Sequence, residues 1–247
     1  GSIMAFIEGQ LVHDQVIKNG LESVTELQNG LVDMYAKCGS LHDMYRMFNH
    51  MSMTDTTSWN TLIAGNLHAG DDFAALSVFQ VMEEKGIEKN EFTLSCALKA
   101  CSRSISTVEV GRIMHNQVIC SGLQSDLVTE SSLVLMYAKC GKLEKAQEVF
   151  DDLQTRDVVS WNVLISGYAK YGALEKAREL FDHLFEPDIS SWNVLITGYA
   201  QHGLVDEVFK CFHQMKDEKV APNALTYTTI LKACSIVGSL EIGDDIY

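Results

Sequence analysis

The stretch Leu31-Val-Asp-Met-Tyr-Ala-Lys-Cys-Gly39 returns almost unchanged as Leu133-Val-Leu-Met-Tyr-Ala-Lys-Cys-Gly141. Around it, Ser-Trp-Asn occurs at 58–60, 160–162 and 191–193, and Leu-Lys-Ala-Cys-Ser at 98–102 and 231–235. Self-similarity at a period of roughly 20–50 residues marks a repeat architecture, and it takes precedence over local propensity. The spacings divide the chain into six whole units: 25–55, 56–90, 91–126, 127–157, 158–188 and 189–223, of 31, 35, 36, 31, 31 and 35 residues. Residues 3–24 match the second half of a unit like 91–126, and 224–247 match its first two-thirds. Gly1-Ser2 reads as an expression scar. The ends fall inside repeats and no transit or signal peptide is visible, so the expectation is a fragment of a longer protein.

Each unit reads as two helices. In 158–188, Trp161, Leu164, Ile165 and Tyr168 lie at i, i+3, i+4 and i+7, on one helical face. Lys170 falls in the last turn and Gly172 just past it, a normal helix stop. Leu174, Ala177, Leu180, Phe181 and Leu184 then mark a second amphipathic helix, ended by Glu186-Pro187-Asp188. A pair of short helices cannot bury both apolar faces alone, but stacked on its neighbours it can. The fold expected is therefore all-α: a right-handed α-solenoid superhelix of about fourteen helices, forming one solenoid domain.

Composition agrees. Of 247 residues 47% are hydrophobic, enough for a continuous core, and only 2 are proline, which leaves helices unbroken. No run of about 18 apolar residues suggests a membrane span. No Gly-x-Ser-x-Gly, His-Glu-x-x-His or Walker A occurs; Gly141-Lys142 is followed by Leu143. The zinc-deaminase pattern is absent, and no Cys-x-x-Cys pairs the 7 cysteines. Cys38 and Cys140 share one repeat position, as do Cys101 and Cys234, and they read as small core side chains. No enzyme activity, cofactor or metal is expected of this segment.

The net charge is −14, with 19 Lys+Arg against 33 Asp+Glu, which opposes phosphate binding taken whole. The charge is unevenly placed. Positions three to fourteen of the units hold Lys37, Lys99, Arg103, Lys139, Lys170 and Lys232 against only Asp33 and Glu130. The second helices carry much of the acid, including Glu144, Glu148, Glu175 and Glu179. First helices lining one side would make that side locally favourable to an anion, although lysines there also complement helix C-termini. Trp59, Trp161 and Trp192 head the apolar stripes and read as core. The following Asn60, Asn162 and Asn193 sit off the stripe and are expected to face solvent in a row with Ser131.

Units of 31, 35 and 36 residues carrying Ser-Trp-Asn-x-Leu-Ile-x-Gly-Tyr-Ala and Met-Tyr-Ala-Lys-Cys-Gly resemble the pentatricopeptide repeats of land-plant proteins. The mixed lengths are similar to the PLS subclass. The order would be partial L, S (25–55), P (56–90), L (91–126), S (127–157), a short S-like unit (158–188), P (189–223) and partial L. Tetratricopeptide repeats hold near 34 residues and lack these strings.

The resemblance implies binding of single-stranded RNA, one base per unit. In such repeats the fifth and last residues read the base edge. Carried over, the pairs are Asn29 with Asp55, Asn60 with Asn90, Ser95 with Asp126, Ser131 with Asp157, Asn162 with Asp188, and Asn193 with Asn223. Asn–Asp implies U, Asn–Asn implies C, or U less well, and Ser–Asp in 127–157 implies G. The L unit is left unassigned, and Thr228 would be a further fifth position. The implied target is 5′-U-Y-N-G-U-Y.

Apolar second positions would stack on bases: Phe92, Val128 and Val159, whereas Glu26, Thr57 and Ser190 depart from the pattern. Lys37, Lys139 and Lys170 would approach phosphates; His68 and Gln201 stand there in the P units. Unit 91–126 has one residue more than usual, placed in 102–108. The resemblance further implies a mitochondrial or chloroplast RNA-processing factor of the C-to-U editing type. Its partners would be organellar RNA, editing cofactors docking on L units, and a deaminase downstream or supplied in trans. The main alternative is a helical scaffold that binds protein, favoured by the acidic charge. Against it stands the row of Asn, Ser and Asp, where a protein-binding groove would show apolar or charged anchors.

Overall fold

The computed structural model describes residues 2–103, 107–121 and 127–237. Among these residues there are fourteen helices and no strand. The chain forms two compact units, Gly1–Ser132 and Leu133–Tyr247.

The first unit holds α1 (Ser2–Lys18), α2 (Thr25–Lys37), α3 (Leu41–His50), α4 (Thr56–His68), α5 (Asp72–Glu84), α6 (Glu91–Cys101) and α7 (Val108–Ser121). The boundary falls within α8 (Leu127–Lys139). The second unit continues with α9 (Leu143–Asp152), α10 (Val158–Lys170), α11 (Leu174–Asp182), α12 (Ile189–Gln201), α13 (Val205–Asp217) and α14 (Ala224–Val237). In the first unit α2 packs on α3 and α4, and α4 on α5 and α6; in the second, α10 packs on α11 and α12, and α12 on α13 and α14. Each first helix of a hairpin thus touches its own partner and the next first helix, the nearest-neighbour stacking of a solenoid. The loop expected to carry the extra residue of 91–126 lies partly outside the described residues.

The helix ends follow from the repeated residues. Gly39, Gly70, Gly141, Gly172 and Gly203 all take positive φ, between 72° and 82°, directly after a first helix. At Gly39 the N–H meets the Ala36 carbonyl at 3.0 Å and the Ser40 N–H meets the Tyr35 carbonyl at 2.9 Å, closing the orphan carbonyls as the chain reverses. Both prolines, Pro187 and Pro222, stand ahead of a helix start and leave the helix interiors intact.

Two contacts recur between consecutive hairpins. A phenylalanine of the second helix meets the aromatic at position four of the next unit edge-on. The ring centroids lie 5.0 Å apart for Phe48–Trp59, 4.7 Å for Phe150–Trp161, 4.6 Å for Phe181–Trp192 and 6.0 Å for Phe212–Tyr227. Each such pair adds about 0.5–1.5 kcal/mol beyond its buried area.

The second contact brings first helices together through small residues. A Cβ placed on Gly198 would lie 2.6 Å from the Ala169 Cβ; on Gly167, 3.0 Å from the Ala138 Cβ; on Gly65, 2.9 Å from the Ala36 Cβ. A mid-helix glycine costs about 1 kcal/mol against alanine, so its presence at three equivalent positions reflects this close approach.

Two stability measurements test this account. Gly198→Ala should destabilise the chain by about 1–3 kcal/mol in urea unfolding, because α10 and α12 would have to separate. Lys219 is the one described non-glycine residue with positive φ, 61°, where the equivalent unit places Gly86 at 66°. Lys219→Gly should therefore raise stability by about 0.5–1 kcal/mol; no gain would mean that the left-handed turn is unstrained.

Candidate nucleic-acid interface

The last residue of each unit is the N-cap of the next first helix. Asp55 accepts the Ser58 N–H at 2.8 Å, Asn90 the Thr93 N–H at 3.0 Å, Asp157 the Ser160 N–H at 2.8 Å, Asp188 the Ser191 N–H at 2.8 Å and Asn223 the Thr226 N–H at 3.1 Å. Asp and Asn are preferred there because a short side-chain oxygen reaches an otherwise orphaned N–H. In each case the atom used is Oδ1. The other atom, Oδ2 in aspartate and Nδ2 in asparagine, stays outside the cap, and all five residues are exposed.

These bonds set the charge state. The Ser58 N–H, helped by the Ser58 hydroxyl and the Asn29 amide, holds the Asp55 carboxyl below the usual carboxylate range. At Asp188 partial burial acts upward, but the Ser191 backbone and hydroxyl and the Asn162 amide outweigh it, and the carboxyl is again lowered. Both carboxylates are ionised acceptors at neutral pH.

The fifth residues reach these caps from the preceding first helix. Asn60 Nδ2 donates to Asn90 Oδ1 at 3.1 Å, and Asn193 Nδ2 donates to Asn223 Oδ1 at 3.3 Å. The hydroxyls of Thr93 and Thr226 donate to the Oδ1 atoms of Asn60 and Asn193, at 2.6 and 2.7 Å. Asn29 and Asn162 instead face aspartates, and their own Oδ1 atoms are buried without a partner. The expectation of a solvent-facing row needs correction: Asn60 and Asn193 are buried, with 7% and 6% exposure, and Asn162 and Ser131 are half-buried. The next unit's cap and threonine close over the amide, leaving only its edge accessible.

In the second unit the pairs sit in two adjoining recesses. One, of about 470 Å3, is lined by Asn162 and Asp188 together with Val159, Ser190, Lys139 and Lys170. The next, of about 370 Å3, has Asn193 and Asn223 between Ser190 and Leu225, with Lys170 and Gln201 alongside. Second, fifth and last positions thus meet in both recesses. Val159 is 62% exposed, Val128 58% and Phe92 52%, and Leu225 is 56% exposed. Leu225 escaped the sequence reading because its unit is cut short, yet it stands at a second position and is as apolar as Val159.

Other candidate residues are placed less uniformly. The Ser95 hydroxyl lies 3.0 Å from that of Ser132, and Thr228 is exposed and donates to the Ala224 carbonyl at 2.7 Å. Asp126 lies outside the described residues. Lys37 pairs with Asp33 at 2.8 Å, and Arg103 with Asp72 at 2.9 Å, so two of the first-helix cations are matched by carboxylates. Lys170 lies 5.3 Å from the Tyr171 ring centroid. Trp59 and Trp192 are buried and Trp161 half-buried, each against its phenylalanine. Among the described residues no cluster of His, Cys, Asp and Glu is arranged for a metal, and no helix is long and apolar enough to cross a membrane.

Comparison with known proteins bears on these recesses. The model described as "PPR repeat" matches residues 29–53, 131–158 and 159–186, and the model described as "PPR repeat family" matches 54–103 and 187–235. A pentatricopeptide repeat-containing protein of Arabidopsis thaliana is 48% identical over 237 residues, which cover 96% of this chain and 34% of the relative. A mitochondrial one from the same plant is 33% identical over 99% of this chain and 31% of the relative; a chloroplastic one is 28% identical over 97% and 34%. The chain spans about one third of the length of these relatives. Among solved structures, the pentatricopeptide repeat protein PPR10 from maize is similar with a TM-score of 0.56 and 26% identity, over 96% of this chain and 40% of that one. The same maize protein in complex with an 18-nt psaJ RNA element gives a TM-score of 0.53 at 26% identity, over 94% of this chain and 40% of that one.

The caps give a stability test. Asp188→Ala should cost about 1 kcal/mol, while Asp188→Asn, which keeps the capping oxygen, should cost a few tenths. Because the Asp188 carboxyl is lowered in the folded chain, its stabilisation is present above the unfolded value of about 3.9 and is lost as pH falls through the folded value. Urea unfolding at a series of pH values should show a smaller acid loss for Asp188→Asn than for wild type.

Proposed function

The chain belongs to the pentatricopeptide repeat family, and on that footing we propose that it binds single-stranded RNA sequence-specifically, one base per repeat. The observation that supports this most is the pair of adjoining recesses, each lined by exposed second-position residues and by a fifth–last pair. The solved maize relative was crystallised with an RNA element, which points the same way.

The chemistry of the pairs matches base edges. An aspartate whose Oδ1 caps a helix turns an acceptor outward, which suits the N3–H of uracil or the N1–H of guanine. An asparagine capped the same way turns an N–H outward, which suits the N3 of cytosine. On this basis Asn29–Asp55 and Asn162–Asp188 select U, Asn60–Asn90 and Asn193–Asn223 select C or U, and Ser131–Asp157 selects G. Phe92, Val128, Val159 and Leu225 provide stacking surface, and Lys139 and Lys170, with Lys37, meet phosphates. The target is 5′-U-Y-N-G-U-Y, with Ser95, Asp126 and Thr228 belonging to L-type units of less defined preference. With a net charge of −14, binding is weak and falls with salt.

We further propose that the repeats are of the PLS type and that the parent protein is a plant organellar RNA-processing factor that specifies C-to-U editing sites. The named mitochondrial and chloroplastic relatives support the organelle. The deaminase would be a separate domain or a partner in trans, with editing cofactors on the L-type units.

Selection of bound sequences from a random RNA pool tests the reading, and U-Y-N-G-U-Y should emerge. A single substitution tests one site. Asn162→Thr puts a hydroxyl beside Asp188, which in this family favours G. Affinity for U at that base should fall and that for G rise, a discrimination of about 1–3 kcal/mol. The fold should lose no more than about 1 kcal/mol, since Asn162 is half-buried and makes one amide contact with Asp188. Equal losses on both RNAs would mean that Asn162 supports the fold and reads nothing.

A further inference from the structure

At every described cap the hydroxyl at the third position of the unit reaches the cap, and where it is a threonine it reaches the preceding fifth-position amide as well. Ser191 Oγ donates to the Asp188 carboxylate at 2.9 Å, and Ser58 Oγ to Asp55 at 2.9 Å. Where the cap is asparagine, the third residue is threonine; its hydroxyl stays within reach of the cap, 2.9 Å from Asn90 Oδ1 for Thr93 and 3.1 Å from Asn223 Oδ1 for Thr226, but lies closer to the fifth-position amide: Thr93 Oγ1 to Asn60 Oδ1, 2.6 Å, and Thr226 Oγ1 to Asn193 Oδ1, 2.7 Å. Both threonines have no exposed surface.

This difference fixes which way an asparagine faces. An isolated carboxamide presents either its oxygen or its N–H groups to a base, and the two orientations select opposite partners. Here the Thr93 hydroxyl occupies the Asn60 oxygen, so Asn60 Nδ2 turns to Asn90 Oδ1 at 3.1 Å. Asn90 Oδ1 also caps α6 through the Thr93 N–H. What remains for the base is the second hydrogen of Asn60 Nδ2 and the Asn90 amide nitrogen, which has no protein partner among the described residues. Two donors side by side match the O2 and N3 acceptors of cytosine. They clash with uracil, whose N3–H is itself a donor.

We propose that Thr93 and Thr226 are positioning residues that lock the Asn–Asn pairs with donors outward and so select cytosine over uracil. The proposal rests on the base-reading function above. Without the hydroxyl, Asn60 is released to turn its oxygen outward and accept from the uracil N3–H. In the Asn–Asp units no such lock is needed, because a carboxylate presents an acceptor in either orientation. The lock gives a physical reason for the leaning of Asn–Asn pairs toward cytosine that the family resemblance implies, and it narrows the target to 5′-U-C-N-G-U-C.

The test uses the whole chain and pairs of RNAs that differ only at the second base, C or U. Wild type should prefer C by about tenfold, the value of one discriminating base-edge contact. Thr93→Val, which keeps the shape and removes the hydroxyl, should bring that ratio below about threefold, and Thr93→Ser should restore it. Thr226→Val should do the same at the last base, which covers the case where Thr93→Val fails to fold. Ser191→Ala should leave the preference for U at the fifth base unchanged. Equal loss of affinity for both RNAs in the valine variants would reduce the threonines to helix caps and overturn the lock. Loss of base preference in Ser191→Ala would also overturn it, because the hydroxyl would then act without regard to amide orientation. A wild type that binds RNA but does not separate C from U defeats the lock while leaving RNA binding intact. A wild type that binds no RNA defeats the function from which both follow.

Discussion

A helix that starts in mid-chain must find acceptors for its first N–H groups, and here that requirement falls on the last residue of the preceding unit. Asp55, Asn90, Asp157, Asp188 and Asn223 each commit one side-chain oxygen to the third residue of the helix that follows. The commitment removes the freedom of these side chains to rotate, so the remaining atom points in a set direction. Aspartate and asparagine are equally good caps but opposite hydrogen-bonding partners for a base. A change between them alters what is presented and leaves the helix start intact. The covalent boundary between repeats, the folding requirement and the proposed contact with RNA therefore meet in one residue.

The helical hairpins were legible because their marks are local. Gly39, Gly141 and Gly172 end first helices, the apolar spacing from Leu174 to Leu184 outlines a second, and all five of those apolar residues are buried. The burial of Asn60 and Asn193 was not legible in this way. By helical period they lie off the apolar stripe, and the surface that covers them comes from a helix more than thirty residues later. A sequence pattern does accompany it: among the described caps, asparagine is followed three residues on by threonine, and aspartate by serine. The difference carries meaning only once the threonine hydroxyl is seen to reach the fifth-position amide as well as its own cap. Leu225 was missed for a simpler reason, since its unit lacks the last residue against which a pair would be drawn.

The uneven charge has a similar explanation. First helices contribute few charges because both of their flanks meet other first helices, and a charged side chain there would have to be desolvated. Second helices present an open flank, and it carries exposed pairs such as Lys176–Glu179 and Lys210–Glu207. Such pairs contribute little to stability and keep the outer surface hydrated. The acidic total thus describes one side of each hairpin more than the other, and is a poor guide to the recesses where Lys139 and Lys170 lie.

The alanine–glycine contacts between first helices act as a ruler. Where Ala138 meets Gly167 and Ala169 meets Gly198, the backbones are as close as side chains allow, so the step from one recess to the next is set by van der Waals radii. Chemistry at the recess and distance between recesses are then independent variables, held by different residues. Exchanging Asp188 for Asn alters the hydrogen-bonding character of one recess and leaves its neighbours in place. Enlarging Gly198 changes none of that chemistry, yet it lengthens the stride between first helices, which under the proposed function is the step that has to match the spacing of a nucleotide chain.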